Sequence, residues 1–66
     1  MGKVKAAAIE GQEFAQENYN ISRNDFCALA FKVFKPMSIQ ARAAVEEYDV
    51  IQNDLKVYYE EYYNAN

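Results

Sequence analysis

From Ser38 onward the apolar positions recur in alternating steps of three and four. Ala41, Ala44, Tyr48, Ile51, Leu55, Tyr58, Tyr62 and Ala65 form one unbroken a/d seam. No Gly or Pro interrupts it. The spacing predicts a helix over about 39–63, roughly 37 Å long at 1.5 Å per residue. That exceeds the width of a compact domain of this size, whose radius of gyration would be about 11 Å. Such a helix packs lengthwise against others, and one end of it is expected to project.

Two shorter patterns precede it. Val4, Ala7, Ala8, Gly11, Phe14 and Ala15 make a stripe at helical spacing, with Glu10, Glu13 and Glu17 outside it, and predict a helix over about 3–18. Ile9 lies off the stripe. Gly11 costs about 1 kcal/mol in a helix interior; on a stripe of small residues it reads either as a point of close helix approach or as a weak point. Asn18-Tyr19-Asn20-Ile21 breaks the pattern with turn-forming residues. Ser22 and Asp25 then have the spacing of a capping box, with Asp replacing the usual Glu, and Ile21 and Phe26 that of a hydrophobic staple. The helix they open, about 23–35, carries Phe26, Leu29, Ala30 and Val33, with Cys27, Phe31 and Phe34 widening its apolar surface. Lys32 and Lys35 suit the C-terminal end of its dipole, and Pro36 ends it by pushing Lys35 out of helical geometry. Ser38 caps the third helix after a connection short enough to favour antiparallel or steeply angled neighbours. The expectation is an all-α fold: one domain over 1–66 with three helices, the C-terminal one longest and the apolar second one clasped by its neighbours.

A chain of 66 residues buries only about 60% of its unfolded surface, so its own core gives marginal stability. Small scaffolds usually add a disulfide, a metal or a partner chain. One cysteine and no histidine leave neither of the first two, so self-association, as a helical homodimer, or another protein is the expected support. The longest charge-free run near the middle, Phe26 to Phe31, is far short of the roughly 20 residues a membrane span needs. No signal peptide pattern is present, and Ala6 stands where myristoylation wants Ser or Thr. The expected place is the cytoplasm, with Cys27 reduced.

Catalysis has little to work with. Cys27 lies in an apolar helix with no base nearby in sequence and reads as an inert core thiol. Glu13 with Glu17, or Glu46 with Glu47, read as solvated helix faces, because bundle metal sites want Glu-x-x-His as well. With no phosphate-binding loop either, no enzyme, metal or cofactor is expected. The helix–turn–helix outline suggests DNA binding, but the helix that would read the groove is acidic. Residues 37–66 hold Arg42 and Lys56 against six acids, a net of −4, whereas residues 1–36 have a net of +1. Phosphate neutralisation supplies most nucleic-acid affinity, so the charge argues against direct binding.

The tyrosines are the strongest clue. Tyr48, Tyr58, Tyr59, Tyr62 and Tyr63 all lie on the long helix. Tyr48, Tyr58 and Tyr62 belong to the seam; Tyr59 and Tyr63 lie on an adjacent line that Val45 extends, and Val50 and Val57 mark a third line opposite part of the seam. That is more apolar surface than a three-helix core needs, and tyrosine suits interfaces because it buries area while its hydroxyl stays wet. The protein-interface candidates are Tyr48, Ile51, Leu55, Tyr58, Tyr59, Tyr62 and Tyr63, although Tyr48 fits a core position equally well. Glu46, Glu47, Asp49, Asp54, Glu60 and Glu61 would steer a basic partner. The expected function is a non-catalytic, regulatory interaction protein that binds itself and another protein; by analogy of size, this suits a phage- or plasmid-type modulator in a host cytoplasm. An acidic inhibitor using the same six acids as phosphate mimics is the alternative, and a small DNA-binding regulator a third reading.

Overall fold

The computed structural model describes residues 2–64, with side chains described for residues 4–61. It is all-helical: α1 (Gly2–Glu17), α2 (Arg23–Val33) and α3 (Ile39–Asn64), with no strand among the described residues. The predicted caps form. Ser22 Oγ accepts from the Asp25 N–H at 3.2 Å, and Ser38 Oγ accepts from the Ala41 N–H at 3.1 Å. α2 stops two residues short of the predicted end. Phe34 takes extended geometry (φ −114°, ψ 155°), while its N–H still donates to Ala30 C=O at 2.8 Å. The exit turns the Phe34 ring edge-on to Phe14 of α1, with centroids 5.3 Å apart. Pro36 restrains the residue before it; the aromatic contact accounts for the earlier break.

Contacts along the chain set the helix directions. Gly11 lies against Gln40 and Ala44, Gln16 bonds Glu47, and Gln52 donates to the Tyr19 carbonyl, so α1 and α3 run the same way. Arg23 pairs with Asp49, Phe26 stacks on Tyr48, and Phe31 sits beside Ala41 and Val45, so α2 runs against both. Gly11 proves to be a point of close approach. A Cβ there would stand 2.9 Å from Ala44 N and 3.0 Å from Ala43 Cβ, and would also collide with the Gln40 carbonyl oxygen. The two backbones meet where a side chain would hold them apart.

The core is small. Ala15, Phe26, Ala30, Ala44 and Tyr48 form it, with Phe14, Ile21, Val45 and Ile51 packed around the edge. Phe26 is its one large, fully buried side chain among the described residues. The Phe26 and Tyr48 rings stack at 4.4 Å, and Tyr48 Oη donates to the Ile21 carbonyl at 2.5 Å. That bond satisfies the hydroxyl that burial would otherwise strand. The shape is elongated, 47 × 26 × 16 Å, with a radius of gyration of 13.6 Å against about 11 Å for a compact chain of this length.

Candidate interaction surface

α1 and α2 cover only the first half of the α3 seam. Ala41 and Ala44 are fully buried and Tyr48 is 4% exposed, while Leu55 is 36% and Tyr58 60% exposed. The change falls where the α1–α2 turn ends. Gln52 Nε2 is bonded there to the Tyr19 carbonyl at 2.7 Å, and every residue from 53 to 61 is exposed. α3 therefore projects beyond the three-helix body.

The sequence-derived interface residues divide accordingly. Tyr48 is corrected: it is a core residue of its own chain, stacked and hydrogen-bonded, and its ring offers no surface to a partner. Ile51 is half-buried against the core edge and largely used within the chain. Leu55, Tyr58 and Tyr59 lie on the projecting end, the two tyrosine rings edge-on at 6.0 Å. Tyr62 and Tyr63 belong to α3 but lie outside the described side chains.

The six acids do not form one surface. Glu47 is half-buried and accepts from Gln16 Nε2 of α1 at 3.2 Å. Asp49 accepts from Arg23 of α2 through both carboxylate oxygens, at 2.9 and 3.1 Å, and the guanidinium holds its carboxyl below the usual range. Glu46, Asp54, Glu60 and Glu61 are exposed. Glu47 and Asp49 thus tie α3 to its own neighbours, while Glu46 on the outer face of the body and Asp54, Glu60 and Glu61 beyond it remain on the outside.

Two shallow grooves flank α3 at the other end, and sequence reading missed both. One, about 240 Å³, runs between α2 and α3, lined by Phe31, Pro36, Ala41 and Val45 with Arg42 and Glu46 on its rim. The other, about 200 Å³, lies between α1 and α3 and is lined by Ala8, Ile39 and Ala43, again with Arg42 and Glu46. The widened apolar face of α2 was the available clue. It could not show that Phe34 turns inward to Phe14 while Phe31 stays 42% exposed beside Pro36.

Cys27 is half-buried in α2. Among the described residues no cluster of three or more potential metal ligands occurs, and no helix is long and apolar enough to cross a membrane. No family model, curated protein or solved structure matches this chain.

Proposed function

We propose that this chain is a non-catalytic helical interaction protein that associates with itself through α3 and presents the projecting, acidic, tyrosine-rich end of α3 to another protein. One observation carries the reading. Over residues 53–61 the helix leaves its own body with Leu55, Val57, Tyr58 and Tyr59 all exposed. Apolar surface gathered on one projecting element is surface that a partner covers, and tyrosines there supply area at little cost in rotamer entropy. Asp54, Glu60 and Glu61 around them, against Lys56 alone, favour a basic partner surface. The small core supports the same reading, because a body with one large buried side chain gains from further burial. Nucleic-acid mimicry has less support, since Glu47 and Asp49 are engaged within the chain.

The test places a photo-crosslinking amino acid at Tyr58 and, as a control, at the exposed Glu13 of α1, in extract of a producing cell. A discrete adduct from position 58 alone is expected. Excess unlabelled wild type should suppress it, and a helical Tyr58→Ala/Tyr62→Ala variant should not. Absence of adduct, or equal adducts from both positions, would sink the reading. Loss of helicity in the double variant would instead make those tyrosines part of the fold.

A further inference from the structure

Opposite the a/d seam, α3 carries a second line of residues: Arg42, Glu46, Asp49, Asn53, Lys56 and Glu60, all exposed. Steps of four and three keep them on one face; Arg42 and Glu60 are eighteen residues apart, about five turns at 3.6 residues per turn. Neither α1 nor α2 covers this line. Arg42 and Glu46 form the ridge between the two grooves, and among the described residues the only ion pair on the line is Arg23 with Asp49, at its α2 side.

We infer that this outer face pairs with the same face of a second copy, antiparallel, about a twofold axis beside Ile51. The inference rests on the reading of α3 as the contact element and names one of its partners. The order of charges carries it. In that register Arg42 stands opposite the partner's Glu60, Glu46 opposite the partner's Lys56, and Asp49 opposite the partner's Asn53. The twofold axis repeats each pair on the other side. Both bases of α3 thereby meet acids. A parallel pair would set Arg42, Glu46, Asp49, Lys56 and Glu60 each against its own kind, at a cost for every one.

The residues beside the line fit the same axis. Val45 and Tyr59 flank it on the α2 side, and Ala43, Val50 and Val57 on the α1 side. A twofold perpendicular to the helices brings like side to like side. The partner's Tyr59 therefore arrives at the Phe31–Pro36–Val45 groove, and the partner's Val57 at the Ala8–Ile39–Ala43 groove. Val50, 53% exposed, meets its own copy beside the axis. The paired line runs from 42 to 60, about 27 Å. The exposed part of the seam, by contrast, offers Leu55 and Tyr58 among the described side chains, fewer positions than the three to four heptads of a coiled-coil pair supply. Pairing on the outer face leaves that seam open for another protein.

Light scattering and sedimentation equilibrium over a wide dilution range test the inference, with circular dichroism confirming helicity of every variant. The wild type should pass from monomer to dimer and no further. Arg42→Glu alone, or Glu60→Arg alone, should weaken the dimer about tenfold or more by turning two attractions into two repulsions. The Arg42→Glu/Glu60→Arg double variant should recover it, and an equimolar mixture of the two single variants should form the heterodimer. Glu13→Arg on α1 should change nothing. A wild type that stays monomeric throughout would overturn the inference, leaving the crosslinking result at Tyr58 to decide the broader reading. A dimer insensitive to Arg42→Glu but lost in Leu55→Ala/Tyr58→Ala would also overturn it and move the contact to the seam.

Discussion

The two halves of α3 continue one sequence pattern and have opposite surroundings. Over 41–52 the seam residues are small or meet rings and backbone of α1 and α2: Ala44 lies under Gly11, and Tyr48 stacks on Phe26. Over 53–61 the same spacing brings Leu55 and Tyr58 to the surface. An a/d seam thus marks the face a helix would bury, and the neighbours' length decides how much of it is buried. α1 spans Gly2–Glu17 and α2 Arg23–Val33, and their shared turn ends at the level of Gln52. Past it, every residue from 53 to 61 is exposed.

Substitutions in the two halves should therefore differ widely in cost. Phe26→Ala or Tyr48→Ala should each cost about 3–5 kcal/mol. That is much of what a chain this small can hold, so thermal denaturation by circular dichroism should find both largely unfolded at 25 °C. Gly11→Ala comes next. The atoms in the way are backbone of Gln40 and Ala44, which cannot swing aside, so overpacking of about 1–3 kcal/mol should outweigh the roughly 1 kcal/mol gained in helix propensity. A lower melting temperature is expected, and Gln12→Ala on the exposed side of α1 should not show it. Tyr48→Phe keeps the stack and strands the Ile21 carbonyl, for about 1–2 kcal/mol in urea unfolding. Beyond the body, Leu55→Ala and Tyr58→Ala should each shift monomer stability by no more than about 0.5 kcal/mol. A cost like that of Tyr48→Ala would show that the two halves are buried alike and break the comparison.

The smallest effect is electrostatic. Arg23 lowers the Asp49 carboxyl below its unfolded value, so the folded state binds that proton less readily than the unfolded chain. The contribution is present above the unfolded value of about 4 and is lost as pH falls through the folded one. Both partners are about half exposed, which keeps it small and sensitive to salt. Melting temperature followed from pH 6 down to pH 2 should fall slightly less steeply in Asp49→Asn than in wild type.

Much of the local structure was legible because its causes are local. Ser22 and Ser38 act as caps through atoms three residues away. Asn18 to Ile21 turns where the stripe of α1 stops, and Pro36 lies in the break before α3. The surface was less legible. Tyr48 and Tyr58 lie on the same a/d seam, and nothing near either in the chain tells that one meets Phe26 and the other lies at the surface. Glu47 and Asp49 read as outward acids until Gln16 and Arg23, distant in sequence, reach them.

By itself the sequence determined three helices, their caps, the seam along α3 and the excess of tyrosine at its end, since period, capping and propensity act over a few residues. Only the tertiary structure decided that Gly11 is a contact point, that α1 runs with α3 and α2 against both, and that Phe34 rather than Phe31 turns inward. It also decided where along the seam burial stops. Each of these depends on how far one helix reaches along another, and that distance is set by packing between residues far apart in the chain.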